Sequence, residues 1–369
     1  MKKSVKKLFT TILILSLVSM TLSSCSAQNI FGDSIFRFEY HKETDSYELD
    51  RVAGKDYLLG KITVPDTYNG KAVTSIGSEA FYDCGSLTSV TIPDSVTSIG
   101  NYAFCDCWFL TSVTIPDSVT SIGGSAFYNC NSLTSITIPD SVTSIGNRAF
   151  SLCDNLTSIT VDENNQYYKS IDGNLYTKDG TTLVQYAIGK KDTSFVIPDS
   201  VTTIGERAFS HCDSLTSITI PDSVTSIGRY AFSGTAYYNN ENNWVDGVLY
   251  IGNRLIVAKD TISGEYVIKD GTLTIEGHAF QGCDSLTNIT IPDSVTSIGD
   301  FAFYSCDSLE SVVIGDSVTS IGYHAFFGCS SLTDVYYAGT EEEWAKISIN
   351  SSNTHLIGAI IHYNYVPEE

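Results

Sequence analysis

The stretch that decides the fold runs from Leu87 to Phe109 and reads LTSVTIPDSVTSIGNYAFCDCWF. Leu110 starts it again, and Leu133 and Leu156 follow at the same 23-residue interval, as do Leu286, Leu309 and Leu332 further on. Ile-Pro-Asp-Ser-Val occurs six times, at Ile92, Ile115, Ile138, Ile197, Ile220 and Ile291, and a seventh copy at Ile314 has Gly315 in place of Pro. Ala-Phe occurs nine times, from Ala80-Phe81 to Ala325-Phe326. A fixed period of this length marks a repeat architecture in which each unit buries its apolar face only against its neighbours.

Within the unit the large apolar residues are Leu87, Val90, Ile92, Val96, Ile99 and Phe104, with Ala103 and Cys107 as smaller partners. Their spacing follows neither period 2 nor period 3.6 throughout. Val90 and Ile92 alternate like a strand. Pro93-Asp94-Ser95 turns the chain, since Pro presets φ and Asp bonds its own backbone. Val96 to Ile99 is a second short extended piece, Gly100 ends it, and Ala103-Phe104 is expected on a brief helical or irregular turn. The unit thus reads as one coil of a right-handed superhelix. Six apolar side chains are too few to offset the ordering of a whole coil, so stability must come from the stack and both ends need caps.

The pattern Leu-x-x-Val/Ile-x-Ile-Pro-x-x-Val-x-x-Ile-Gly-x-x-Ala-Phe-x-x-Cys resembles the BspA-like leucine-rich-repeat family of bacterial surface proteins, over about residues 60 to 363. The resemblance implies a β-rich leucine-rich-repeat solenoid with a parallel sheet on its concave side. It also implies binding roles, such as adhesion to a host matrix protein or to another bacterial surface. On the concave strands Ser89 and Thr91, Ser112 and Thr114, and Ser135 and Thr137 would form a neutral hydroxyl surface, a candidate binding face.

The chain carries 369 residues with a formal charge of −21. That charge argues against binding nucleic acid or an anionic bilayer by electrostatics. The N-terminus reads as an export signal, with Lys2, Lys3, Lys6 and Lys7 ahead of a mostly apolar run from Leu8 to Leu22. Leu22-Ser23-Ser24-Cys25 resembles the bacterial lipobox, which implies lipidation at Cys25 and a membrane held by acyl chains. The expected organisation is a signal over 1–24, a tether over 25–35, an N-terminal cap over 36–73, the solenoid over 74–335 and a C-terminal cap over 336–369. In the last of these, Thr340 and Glu343 fit a capping box opening a short helix to about Ile347, with Trp344 inward and a closing strand from Ile360 to Tyr363.

Two stretches break the rhythm, at about 162–194 and 235–266. Both contain an Asp-Gly hairpin signal, Asp172-Gly173 and Asp246-Gly247, and both read as β-meanders projecting from the solenoid. They are rich in rings. Tyr167, Tyr168, Tyr176, Tyr237, Tyr238, Trp244 and Tyr250 are candidate recognition residues, against the plainer reading that they pack the hairpins.

Eight cysteines share one repeat position, from Cys84 to Cys329, and Thr235 takes that place in the remaining repeat. Rung-to-rung disulfides are geometrically conceivable, but identical use in every coil favours buried thiols. Cys105 is extra and is expected nearer the surface. The aligned Asp94, Asp117, Asp140, Asp199, Asp222, Asp293 and Asp316 are expected to serve their own turns rather than a metal. No metal site, cofactor or catalytic residue is assigned: H-E-x-x-H, G-x-S-x-G and phosphate-loop motifs are absent, and the six histidines are scattered. The expected function is a cell-surface lipoprotein that binds a protein or glycan partner. The alternative is a structural envelope protein without a specific ligand.

Overall fold

The computed structural model describes residues 35–53 and 60–366. The signal sequence, Cys25 and residues 25–34 of the tether lie outside the described residues. The chain divides into two compact units, residues 1–174 and 175–369. Each is a parallel β-solenoid of short strands with few helices. No helix among the described residues is long and apolar enough to cross a membrane.

In the first unit the N-terminal cap is an antiparallel hairpin, Phe36–His41 against Ser46–Val52. Its second strand pairs in parallel with Lys71–Ile76, so Leu49 lies beside Ile76. From there a ladder of two-residue rungs climbs in register: Ile76 beside Ile99, then Ile122, then Ile145. A second ladder joins Gly60–Thr63 to Leu87–Thr91 and then Ser112–Thr114, placing Ile62, Val90 and Val113 in one column. Leu87, Val90, Ile92, Val96, Ile99, Ala103, Phe104 and Cys107 are all buried, as the repeat pattern requires. The phenylalanines stack rung on rung, with centroids 4.9, 5.2 and 5.8 Å apart from Phe81 to Phe150.

Polar residues of the repeat have specific work between coils. The Ser118 hydroxyl donates to the Val96 carbonyl at 2.6 Å, and the Thr120 hydroxyl to the Thr97 carbonyl at 3.2 Å. The repeat cysteines donate too: Cys107 Sγ lies 3.2 Å from the Phe81 carbonyl oxygen, and Cys130 Sγ lies 3.1 Å from that of Phe104. A thiol thus fills a small apolar space and gives a buried carbonyl a weak donor. All nine cysteines of the described residues are free and buried. Cys105 departs from its expected place near the surface. It is 4% exposed, and its Sγ donates to Asp106 Oδ2 at 3.4 Å. Burial and the neighbouring Asp106 push its thiol up to about 12.

The Ala-Phe segment is not helical. It carries two residues per coil in the left-handed region: Glu79, Tyr102, Ser125 and Arg148 two positions before Phe, and Asp83, Asp106, Asn129 and Leu152 two positions after it. Alternate N–H groups then point at the next coil, with Tyr102, Phe104 and Asp106 donating to the carbonyls of Gly124, Ala126 and Tyr128 at 2.7–2.9 Å. This third inter-coil row offsets the ~1–2 kcal/mol that a left-handed residue with a side chain costs.

The second unit repeats the scheme. Phe209 and Phe232 stack at 5.5 Å, and Phe280, Phe303 and Phe326 at 5.0 and 4.9 Å. Its C-terminal cap has the reciprocal Thr340–Glu343 capping box, with a helix over Glu341–Trp344 that stops short of Ile347. Trp344 packs edge-on to Tyr337 at 5.2 Å, and Ile360–His362 closes the sheet beside Asp334–Tyr336. Thr340→Ala removes the hydroxyl that accepts from the Glu343 N–H, leaves the backbone N–H of position 340 on the Glu343 carboxylate, and is expected to cost about 1 kcal/mol. Chemical denaturation checks this: a loss below ~0.3 kcal/mol would mean the cap contributes little.

The interrupting segments are antiparallel meanders, as Asp172-Gly173 and Asp246-Gly247 signal. Asn174–Thr177 pairs with Thr182–Gln185, and Val248–Ile251 pairs with Trp244–Val245 and Arg254–Ala258. They are continuous with the ladder, however, and do not stand apart from it. Their last strands enter the two-residue ladder, with Leu183 beside Ile204 and Leu255 beside Ile275, both leucines fully buried at the repeat isoleucine position. Apolar registry is the reason: a strand that opens on Thr-Leu or Arg-Leu can take a rung. Each segment must also satisfy the carbonyls that a repeat serine would have met. Asn165 Nδ2 donates to the Pro139 and Val142 carbonyls at 2.8 and 2.9 Å. Arg254 Nη2 does the same for Val224 and Pro221 at 2.7 and 3.3 Å.

Candidate functional site

The hydroxyl strands are where the sequence places them. Thr91, Ser112, Thr114, Ser135 and Thr137 are exposed and Ser89 is half-buried. Ser112 Oγ donates to Ser89 Oγ at 3.4 Å, so part of this surface is engaged with itself.

The rings of the interruptions fall into two groups. Tyr176 and Tyr250 are buried, at 1% and 7% exposure, and serve packing. Tyr167 is 52% exposed, whereas Tyr168 is half-buried, its hydroxyl accepting from the Ile145 N–H at 3.0 Å. In the second unit Tyr237, Tyr238 and Trp244 are all half-buried. The Tyr237 hydroxyl donates to the Tyr250 carbonyl at 2.7 Å, Trp244 Nε1 to the Tyr238 carbonyl at 2.7 Å, and the Tyr238 and Trp244 rings meet edge-on at 5.0 Å. Thr235, standing where other coils have Cys, starts this departure. Its hydroxyl donates to the Phe232 carbonyl at 2.9 Å and accepts from the Tyr238 N–H at 3.0 Å, capping the short helix Ala236–Asn239.

The surface that varies most between coils is the left-handed row, which sequence reasoning missed. Its first position is Glu79, Tyr102, Ser125 and Arg148 in the first unit, and Arg207, Tyr230, His278, Phe301 and His324 in the second. Tyr82, Tyr102, Trp108 and Phe109 of the first unit, and Tyr230, Tyr323 and Phe327 of the second, all lie on this segment and are 39–60% exposed. His278 and His324, two of the scattered histidines, belong to it and are half-buried. His278 stacks flat on Phe301 at 4.9 Å, and His324 lies 5.2 Å from that same ring. Burial holds His278 below the ordinary imidazole range, against the pull of its Gln281 partner.

The second unit also holds a cleft of about 440 Å³. It opens where the row is interrupted. Inter-coil bonds run from Phe209 to Ala231 at 2.8 Å and resume from Ala258 to Ala279 at 2.7 Å, with the cleft between these coils. Arg229, Tyr230, Tyr238, Lys259, His278 and Gln281 supply its polar wall. Glu276, also on the wall, is paired with Arg254 at 3.0 Å, and both are nearly sealed from solvent. Among the described residues no group of His, Cys, Asp or Glu is arranged to hold a metal ion.

The model of the BspA type leucine rich repeat region matches in six copies, over residues 74–177, 185–255 and 259–357. The chain belongs to the BspA-type leucine-rich-repeat family. Solved structures similar to this BspA-type chain include a leucine-rich repeat protein from Eubacterium ventriosum ATCC 27560, at 24% identity over 83% of this chain and 84% of that one, TM-score 0.48. A leucine rich cell surface protein from Faecalibacterium prausnitzii A2-165 matches at 28% identity over 87% and 98%, TM-score 0.30. A leucine-rich repeat protein from Bacteroides ovatus ATCC 8483 matches at 25% identity over 82% and 80%, TM-score 0.40. A comparison with functionally curated proteins gives no match.

Proposed function

We propose that this BspA-type chain is a surface-displayed, adhesin-like binding protein, held to a membrane through a lipid on Cys25, whose partner is a host matrix protein, a glycan or another bacterial surface. The observation that carries the reading is the left-handed row. Large side chains such as Tyr102, Arg148, Tyr230 and Phe301 occupy a backbone region that costs them conformational energy. The core beneath them is the same Ala-Phe throughout, so packing does not require their variety. Exposed rings and arginines on a rigid scaffold are the residue types that dominate binding energy. The uniform Ser/Thr strands beside them are a secondary, hydroxyl-rich contact face.

The test immobilises the chain from Ser26 onward and offers it matrix proteins, mucin and bacterial cells. Saturable binding to at least one is expected, weakened ~10-fold or more by Tyr82→Ala with Tyr102→Ala and less than ~2-fold by Thr91→Ala with Thr114→Ala. Absence of saturable binding to any of them would sink the adhesin reading. Binding lost with the threonine pair and kept with the tyrosine pair would move the face to the strands and sink the row.

A further inference from the structure

We infer that the cleft of the second unit is a binding site for a carboxylate-bearing sugar, of the uronic acid class. The inference rests on the binding reading above and names one ligand chemistry for one place.

The chain is strongly acidic, yet two guanidiniums gather at one ring: the Arg207 and Arg229 Cζ atoms lie 4.7 and 4.5 Å from the Tyr230 ring centroid. A guanidinium held over a ring by cation–π attraction keeps N–H groups that can receive a carboxylate through two parallel hydrogen bonds. Of the two arginines, Arg229 is exposed and lines the cleft, while Arg207 lies outside the lining with its Nε sealed from solvent and serves to hold the Tyr230 ring. The other charges of the wall are engaged differently. Glu276 faces Arg254, and Lys259 pairs with Glu241 at 2.6 Å while lying over the Trp244 ring at 4.9 Å. Asp260 lies exposed on the wall. Glu206 and Asp300 lie close enough to act on His278 of the wall, and negative charge farther off is screened beyond about 8 Å at physiological salt.

The rest of the cleft suits a sugar ring better than a bare anion. Its volume falls within the roughly 300–1,000 Å³ range of small-molecule sites. Ile256 and Ala258 give it an apolar floor, while the Gln281 amide and the Ser233 hydroxyl offer neutral donors and acceptors matched to ring hydroxyls. A simple anion would use only the cationic side of the wall, Arg229 above all.

The test is saturation-transfer NMR and calorimetric titration of the purified chain with D-glucuronate, D-glucose and sodium acetate, each at low and at physiological salt. D-glucuronate is expected to bind saturably, with D-glucose at least ~10-fold weaker and acetate no competitor at equal concentration. Arg229→Gln, at an exposed position that leaves the core untouched, is expected to weaken glucuronate ~10-fold or more. Gln281→Ala is expected to weaken glucuronate and glucose by a similar factor. Equal binding of glucose and glucuronate, full competition by acetate, or an Arg229→Gln affinity within ~2-fold of the parent would each overturn the inference. Binding to the adhesion panel that persists while glucuronate fails to bind would overturn this site and leave the adhesin reading standing.

Discussion

Replacing Arg254 with Met is expected to destabilise the second unit by about 3–5 kcal/mol near neutral pH, because it strands a buried carboxylate. Arg254 and Glu276 sit 3.0 Å apart with side chains 8% and 7% exposed, and Thr274 adds a hydrogen bond to the same Glu276 oxygen at 2.8 Å. Even so paired, Glu276 is held above the ordinary carboxylate range by burial, against the opposing pull of Thr274 and Arg254. A carboxylate whose folded value is raised binds more protons folded than unfolded, so its cost grows as pH rises from the ordinary carboxylate range through the folded value. Removing Arg254 widens that window. The loss should therefore be largest at neutral pH and smallest near pH ~3, where both states are protonated. Replacing both residues by Met should recover much of the stability. Urea unfolding at the two pH values decides it: an equal loss at both, or no recovery in the double variant, would show that the pair is not what holds this rung.

Phe303→Ala is expected to cost about 3–5 kcal/mol. Phe303 is fully buried between Phe280 at 5.0 Å and Phe326 at 4.9 Å, so truncation leaves a ring-sized void and removes two stacking contacts. Because each coil is stable only through its neighbours, the loss should spread. Hydrogen exchange should quicken at the inter-coil amides of Phe280 and Phe303 together. Tyr323→Ala, 40% exposed on the neighbouring coil, should stay within about 0.5 kcal/mol of the parent. A Phe303→Ala loss no larger than that of Tyr323→Ala would disprove a shared interior.

Most of the core was legible because the repeat is a direct statement of it. Leu87, Val90, Ile92, Val96, Ile99 and Phe104 point inward for reasons visible in their apolarity and spacing, and Thr340 with Glu343 announces a helix start through side-chain chemistry alone. The left-handed row was not legible at its first position, since Tyr, Arg and Phe carry no signal for positive φ. Its second position carried a partial one: Asp83, Asp106, Asn129, Gly234, Gly282 and Gly328 are residue types that tolerate that region, while Leu152, His211 and Ser305 interrupt the column. The Asp-Gly turns announce the meanders of the interruptions correctly, but turns and clustered rings say nothing of whether such meanders stand off the ladder or join it. Their role as rungs depends on Leu183 and Leu255 reaching the isoleucine column, and that registry exists only once the coils are stacked. The cleft follows from the same interruption, where two coils of the row are not hydrogen-bonded in sequence, so no local pattern marks it. Asn165 and Arg254 share a task with a repeat serine, and only the carbonyls they meet reveal it.

The sealed thiols have a consequence for how the chain must be made. Once coiled, it offers an oxidant none of the nine described sulfurs, yet during synthesis each one is bare. A stray bridge joining two that belong on separate steps would tether them out of order and forbid the ladder from closing. Success in an oxidising environment is then a race, and winding quickly is the protein's own protection.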